Sequence, residues 1–585
     1  MHRAWTIPPP DLGYIGDLTR DLKVSPLVAQ ILVARGHTSA QAAARFLSKK
    51  LTDLHDPESL PGVSTAADAI VAAMKEGRRI TIYGDYDVDG VTATSLLWHA
   101  LQLAGATVDY YIPSRLEEGY GLNQAALEQL HAEDPRRLIV TVDCGITSVG
   151  EARRARELEL DLIVTDHHHF EGELPDARAI VHPRLNGDYP FGELCGAGVA
   201  FKLAWAICAR LGDGKRASPR MREYLLSAIG LAAIGTVADV VPLIDENRVM
   251  VHFGLGSLVG RANPGLQALL QRTSLHERES LTAEDVGFSI APRINAAGRL
   301  GQARLAVELL TTADAERAQA LATYLEELNR NRQTVERRIL KQAKELVAEN
   351  PAWEQHRALV LAHPEWHPGV IGIVASRVAE QFQRPAILLS LAGPNGLAQG
   401  SCRSFAGCDL HAALTACGEH LETFGGHKAA AGLKIRPEAI DGFREAFAAW
   451  VSANHEILPG EARFEIDTEV RFADLTRNAV LEIDQLGPFG AHNRRPVLAA
   501  SGVTLVGQPR RMGEGERHLS LMLRQQSTSL RAIAFGRGEW ADELAALDGP
   551  FDVCFQPSIN RFRGQESVQL QLMDFRPSAV PATTG

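Results

Sequence analysis

The chain has no apolar stretch approaching 18 uninterrupted residues, and its opening, MHRAWTIPPP, contains no hydrophobic leader. Neither a membrane span nor a secretory signal is expected, and a cytoplasmic location follows as the expectation. Paired cysteines are also missing. The seven cysteines, Cys144, Cys195, Cys208, Cys402, Cys408, Cys417 and Cys554, form no C-x-x-C pair, which argues against a structural zinc and fits reduced thiols. Internal repeats and low-complexity segments are absent apart from a short polar tail after residue 577. A surplus of positive charge is lacking too, with 60 Lys and Arg against 71 Asp and Glu for a net charge of −11. That balance does not exclude nucleic acid as a partner, because binding a phosphate backbone needs only a local patch. One such patch exists between His492 and Arg537, where eight arginines face only Glu514 and Glu516.

At 585 residues, 45% hydrophobic and 22% charged, the chain is too long for one core, and three or four ordinary globular domains are expected. Residues 1–60 read as short helices ending in a Pro-rich turn. From about residue 61 to 312, helical and strand patterns alternate: ADAIVAAMKEG, RITIYG, TATSLLWHALQLAG, VDYYIP, NQAALEQLH, LIVTVD, LDLIVTD and AIVHP. Such βαβα alternation predicts a mainly parallel sheet with helices on both faces. A buried helix over Met221 to Val237 leads to Asp239. Residues 313–350 contain neither Pro nor Gly up to Asn350, and their leucines fall at helical spacing, which predicts one long connecting helix. A second α/β module occupies 351–458, with GSCRSFAG read as a turn and FGGHKAAAG as a Gly-rich loop. Residues 459–577 are a series of short alternating β runs that suggest a small barrel of the OB type, and 578–585 form the tail.

What the chain does have is carboxylate at the ends of apolar runs. Asp85, Asp87 and Asp89 in GDYDVDG follow ITIY; Asp143 follows LIVTV; Asp166, His167 and His168 follow LIVT; and Asp239 sits in TVADV. In an open parallel sheet the carboxyl ends of the strands line one crevice, so these groups can converge. Several carboxylates in one crevice repel unless cations neutralise them. Carboxylates mixed with imidazole suit Mn²⁺ or Mg²⁺ and run in-line displacement at phosphorus. Each group alone has a plainer reading. Asp85, Asp89 or Asp143 could cap a helix, and the histidines, His169 above all, could lie on the surface. Asp239 in its apolar surroundings is harder to dismiss, since a buried unpaired carboxylate is costly. Their joint occurrence at successive element ends favours a two-metal phosphoesterase.

GDYDVDG, VDCG, DHH and VAD in this order resemble the DHH phosphoesterase superfamily, and more closely its RecJ branch of single-strand-specific 5′→3′ DNA exonucleases. IPSRLEEGYG (112–121), APRINAAGR (291–299), HPGVIGIVASR (367–377), GSCRSF (400–405) and FGGHKAAAG (424–432) extend the resemblance over nearly the whole chain. It implies a multidomain α/β fold: a parallel-sheet DHH catalytic domain, a long connecting helix, an α/β DHH-associated domain that binds nucleic acid, and a C-terminal OB-fold β-barrel. It implies that Asp87, Asp89, Asp143, His167 and Asp239 hold two divalent cations, Mn²⁺ or Mg²⁺. Other branches carry a histidine four residues before the first Asp of the DxD; here Tyr83 occupies that place and Asp85 is the natural replacement. Catalytic roles fall to Asp143, His167 and His168, the last contacting the scissile phosphate.

The same resemblance suggests that Arg115, Ser401 and Arg403 hold the 5′-terminal phosphate, which would set the cut to one nucleotide. Arg115 or Arg403 could instead form an interlobe salt bridge. Arg293, Asn295 and Arg299 either line the DNA channel or knit it together. Gly425, Gly426 and His427 permit close approach of nucleic acid, or make a tight turn. The implied reaction releases 5′-mononucleotides from single-stranded DNA in repair and recombination. A single-strand-binding protein and a RecQ-like helicase are the implied partners, and a monomer is expected. Two rivals stand beside it. Hydrolysis of very short oligonucleotides or cyclic dinucleotides is disfavoured by the long helix and terminal barrel, and a non-catalytic scaffold by the full set of carboxylates.

Overall fold

A computed structural model of the chain describes residues 4–115, 117–214, 216–354, 356–393, 396–455, 464–547, 549–562 and 564–578. The polar tail, from residue 579, and the expected boundary at 458–459 lie outside the described residues. The chain forms two compact units, one of residues 55–241 and 253–458, the other of 1–54, 242–252 and 459–585.

The larger unit is built on a five-stranded sheet, parallel throughout, in the order Val108–Tyr111, Ile80–Gly84, Leu138–Val142, Asp161–Thr165, Ala179–Val181. Strands Ile80–Gly84 and Leu138–Val142 are buried at every position, as expected of strands covered by helices on both faces. In chain order the sheet runs 2-1-3-4-5, so connections leave in opposite directions between the Ile80 and Leu138 strands. Ligand crevices open at such a switch point. The helix read from TATSLLWHALQLAG already begins at Val88, because the Asp87 carboxylate accepts the Asp89 and Gly90 N–H groups and caps it there.

The long helix runs Ala315–Glu349, 35 residues and about 52 Å. Leu321, Leu325 and Leu328 are buried along its first half; Ile339, Ala343 and Val347 join the core beneath a second sheet. That sheet has the order Thr423–Gly426, Ala430–Ile435, Ala398–Arg403, Ala386–Ser390, Leu359–His363. Two expectations change here. GSCRSFAG is not simply a turn: residues up to Arg403 form an interior strand paired on both sides. Alternation buries Ala398 and Cys402 and leaves Ser401 and Arg403 together on the opposite face. Likewise Gly425 and Gly426 lie on an exposed edge strand of a hairpin whose turn spans 427–429.

In the smaller unit, strands Leu498–Leu505, His518–Gln525, Thr528–Ala534, Phe551–Phe562 and Gln565–Pro577 pair in the cyclic order 1-2-3-5-4-1. The third and fifth run parallel and the first closes on the second, giving the five-stranded OB barrel. Leu519, Leu521 and Leu523 alternate into its core, which also takes in Leu18, Ile31 and Leu32 from the amino-terminal helices. The Trp5–Thr6 strand pairs with Phe464–Glu465. The first 54 residues thus fold with the last 127, a long-range pairing that local pattern does not reveal. All seven cysteines are buried and free.

Candidate active site

Asp85 follows the Ile80–Gly84 strand, Asp87 caps the next helix and Asp89 lies in its first turn. Two glycines make this fold possible. A Cβ at Gly90 would sit 2.5 Å from the Asp85 carbonyl oxygen, and one at Gly84 would sit 2.0 Å from Thr94 Oγ1. Asp143 ends the neighbouring strand in the left-handed region at φ 62°, a conformation that Asp tolerates and that functional sites often hold. His167 and His168 follow the Asp161–Thr165 strand, and Asp239 terminates the helix Pro219–Ala238, which is buried only over its second half, from Ala228 to Thr236, and not from Met221 as expected.

These residues meet. His167 Nε2 lies 3.1 Å from Asp143 Oδ1, 3.6 Å from Asp239 Oδ2 and 3.7 Å from Asp89 Oδ2. Three sets of donor atoms, Asp89–His167–Asp239, Asp85–Asp87–Asp143 and Asp143–His167–His168, each fall within 4.8 Å of one another. Asp143 belongs to two of these sets and His167 to two, so the three sets are linked by shared donors into one cluster. Both Asp89 oxygens also accept N–H groups at the start of the helix Gly196–Arg210, from Gly196 at 2.6 Å and Ala197 at 2.8 Å.

The electrostatics are those of a site lacking counter-charge. Burial first, and then the neighbouring carboxylates, push Asp85 and Asp143 well above the usual carboxylate range. The same causes raise Asp239 to about 8. Burial lowers the His167 imidazole to about 4, which leaves it neutral with a free lone pair. Asp85 Oδ1, Asp143 Oδ1 and His167 Nε2 are all buried without a hydrogen-bond partner, the 3.1 Å approach of the last two lacking hydrogen-bond geometry. Buried polar atoms are nearly always satisfied, and these three unsatisfied atoms are oxygen and imidazole donors suited to a hard divalent cation. Tyr83 takes no part. It is buried and donates to the Gly121 carbonyl.

His168 differs from His167. Burial alone would lower it, but its 2.7 Å hydrogen bond to Asp166 and the surrounding carboxylates outweigh that and raise it to about 9. Asp166 belongs to none of the three donor sets. It accepts the N–H groups of Ile146, His167 and His168, and despite burial it falls to about 2. Asp166 is therefore a positioning residue, a role its place in the Asp-His-His run does not reveal. Tyr120 is another such group, its hydroxyl 3.1 Å from His168 Nδ1 and 3.3 Å from the Asp143 carbonyl. Gly196 and Gly235 complete the set. A Cβ on the first would lie 2.5 Å from Asp143 Cβ, and on the second 2.5 Å from Asp89 Oδ1.

Beside this cluster lies a cavity of about 550 Å³ lined by Arg115, Ser401, Arg403, Gly425 and Gly426, with Gly369 and Gly372 at the start of the helix Ile371–Phe382. Arg403 donates to Ser401 Oγ at 3.0 Å, and Arg115 lies over the Tyr86 ring, one residue from Asp87. Arg299 donates to the Gly369 carbonyl; burial, then Arg115, Arg332 and Arg403, lower it to about 10. Among the described residues no carboxylate ion-pairs with Arg115, Arg299 or Arg403, so the salt-bridge alternative finds no partner. Arg293 is different. It is ion-paired to Glu326 on the long helix and bonded to the Ser289 carbonyl, and so knits the fold. Asn295 is half-buried. His427 is exposed, its ring 6.5 Å from that of His169.

Three stretches of the chain match family models: residues 79–234 the DHH family N-terminal domain, 355–453 the DHHA1 domain, and 466–574 the RecJ OB domain. A Bacillus subtilis (strain 168) protein described as single-stranded-DNA-specific exonuclease RecJ is 39% identical over 574 residues, spanning 97% of this chain and 70% of its own. RecJ from Thermus thermophilus has been crystallised with Mn²⁺ and with Mg²⁺. The first structure matches with a TM-score of 0.82, the second with 0.77, each at 32% identity and over 99% of this chain, covering 80% and 79% of theirs.

Proposed function

The chain belongs to the RecJ family of single-stranded-DNA-specific exonucleases, and from that premise we propose that it hydrolyses single-stranded DNA from the 5′ end. It releases 5′-mononucleotides by a metal-dependent reaction and serves DNA repair and recombination. The observation that carries the reading is the trio of buried, unpartnered donor atoms on Asp85, Asp143 and His167, set within one carboxylate cluster.

In this reading Asp85, Asp87, Asp89, Asp143, His167 and Asp239 hold two divalent cations, Mn²⁺ or Mg²⁺. When bound, such cations act as Lewis acids that polarise the phosphodiester and neutralise the charge it gains. The protein's own part is positional and electrostatic. Neutral His167 offers its lone pair to the site, while His168, kept cationic by Asp166, presents positive charge to the scissile phosphate. Arg115, Arg403 and Ser401 clamp the 5′-terminal phosphate in the adjoining cavity, aided by the N-terminus of the Ile371–Phe382 helix. Arg299 adds to the positive field of that cavity, and the Gly425–Gly426 edge with His427 offers backbone to the strand. On the barrel, exposed Met522, Arg524, Arg531 and Phe535 suit base stacking and phosphate contact. Asn295 lines the strand's path, whereas Arg293 supports it through Glu326.

The division into residues 61–312, 313–350, 351–458 and 459–577 goes with this reading, as do a cytoplasmic location, a monomeric state, and a single-strand-binding protein and RecQ-like helicase as partners. Metal analysis tests the site itself. Two Mn²⁺ ions per chain by calorimetry, falling in an Asp143→Ala variant, support it, and a wild-type protein that binds no Mn²⁺ overturns it.

A further inference from the structure

The cavity beside the carboxylate cluster is larger than one phosphate needs. At about 550 Å³ it falls among pockets that enclose a whole small ligand, about 300–1,000 Å³. Strand register fixes how its floor is laid out. On the sheet face that carries Arg403 and Ser401, alternation brings up Gln399 next along the same strand. On the neighbouring strand Ala430, Gly432 and Lys434 share that face, since Ala431, Leu433 and Ile435 are buried. Ser401 pairs with Gly432 and Gln399 with Lys434. Across the hairpin, Gly432 pairs with Gly425 and Lys434 with Thr423.

The floor therefore has successive rows, about 7 Å apart: Arg403 with Ala430, then Ser401 with two glycines, then Lys434 flanked by Gln399 and Thr423. The glycine row is open. A Cβ at Gly425 would meet nothing within 4 Å, and one at Gly432 only the Gly400 carbonyl at 3.7 Å. A trough thus joins the Ser401 end of the cavity to Lys434. Charge follows the same line, for the cavity lining holds three cations, Arg115, Arg403 and Lys434, and no carboxylate. Glu422, whose N–H donates to the Lys434 carbonyl, is itself ion-paired to Arg436 at 2.6 Å. Lys434 is exposed, and among the described residues no carboxylate ion-pairs with it.

We propose that Lys434, with Gln399 and Thr423, forms a second anion subsite that takes the outer phosphates of a strand ending in a 5′-triphosphate. The inference rests on the reading of Arg115, Ser401 and Arg403 as the holders of the 5′-terminal phosphate. A lysine ammonium on its flexible stem supplies a point charge over the open row, and an amide and a hydroxyl add neutral donors for phosphate oxygens. The chemistry at the carboxylate cluster is unchanged. Water adds to the phosphorus of the first internucleotide phosphodiester, the bond to the 3′-oxygen breaks, and that oxygen takes up the proton the water gives up. The first product is then a nucleoside 5′-triphosphate, and the shortened strand carries a 5′-monophosphate.

Single-turnover cleavage by the full chain with Mn²⁺ tests this on one DNA sequence bearing a 5′-triphosphate, a 5′-monophosphate or a 5′-hydroxyl, with the first products separated by chromatography. The triphosphate strand should reach half-maximal rate at a concentration no higher than the monophosphate strand does, and release a nucleoside triphosphate first. Lys434→Met should raise that concentration about tenfold for the triphosphate strand and leave it unchanged for the monophosphate strand. Lys434→Arg, which keeps the charge, should behave as the wild type. Refusal of the triphosphate strand, removal of its outer phosphates before cleavage, or an equal effect of Lys434→Met on both strands, or none, overturns the proposal while the exonuclease reading stands. A wild type that cuts neither the monophosphate nor the hydroxyl strand, or treats them alike, removes the terminal-phosphate reading, and this proposal falls with it.

Discussion

Gly235→Ala sets two physical expectations against each other. Gly235 lies inside the helix Pro219–Ala238 with ordinary helical backbone, and in an exposed helix replacing Gly by Ala stabilises by about 1 kcal/mol. Here the added Cβ would stand 2.5 Å from Asp89 Oδ1, 2.6 Å from Ala197 Cβ and 2.7 Å from Thr92 Oγ1, against 3.4 Å for ordinary contact. Something must move by about 0.9 Å. Neither main neighbour is free to do so alone, because Asp89 is bonded to the N–H groups of Gly196 and Ala197. Overpacking of this kind costs about 1–3 kcal/mol, so the net effect is a loss of stability despite the better helix former. A displacement near 1 Å at a reacting centre costs about 10²-fold in rate. Thermal unfolding of the ion-free protein and single-turnover cleavage of end-labelled single-stranded DNA read the two effects. A variant with raised Tm and wild-type rate would refute the placement of Asp89 against this helix.

Other substitutions probe neighbouring links. Asp166→Asn removes the partner that orients and charges His168, and the cleavage rate should drop about 10–100-fold, the usual cost of losing such a support; an unaltered rate contradicts the assignment. Arg403→Ala should weaken use of 5′-phosphorylated strands about 10–100-fold while sparing 5′-hydroxyl strands, as competition between the two substrates would reveal. Arg293→Ala, which leaves Glu326 only its exposed partner Arg330, should lower Tm without changing that preference. Mn²⁺ should stabilise the protein more as pH rises. Burial and the Asp89 and Asp87 charges raise Asp239 to about 8 in the ion-free fold, whereas unfolded carboxyls titrate at roughly pH 4. The ion-free fold therefore holds protons the unfolded chain has lost, and its stability declines as pH climbs toward 8. The Mn²⁺-induced gain in Tm should thus be larger at pH 8 than at pH 6, and an equal gain would count against the cluster's electrostatics.

The parallel sheet and its ligand crevice were legible because unbroken apolar runs such as Leu138–Val142 end in carboxylates, and sheet topology carries those ends to one place. The role of each carboxylate was less so. Alternation in GDYDVDG does not tell which Asp caps the helix, and Asp87 does this while sharing the cluster. Asp166 precedes two imidazoles in sequence, yet it bonds only the second of them, His168, together with three backbone N–H groups, an arrangement set by the turn that follows its strand. Gly196 and Gly235 carry no chemistry of their own, so only distances expose them. Composition misled at GSCRSF, where Gly and Ser suggest a turn but alternate burial of Ala398 and Cys402 makes a strand. Long-range pairings were out of reach: Arg293 with Glu326, Arg35 with Asp467, and the first helices with the last barrel.

The central claim is most directly tested by a time course on single-stranded DNA carrying different labels at its two ends, with Mn²⁺, beside Asp143→Ala. The account predicts immediate release of the 5′ label as a mononucleotide while the 3′ label stays in slowly shortening strand, with no release by the variant. Release beginning at the 3′ end, or both labels remaining in full-length strand, would contradict it.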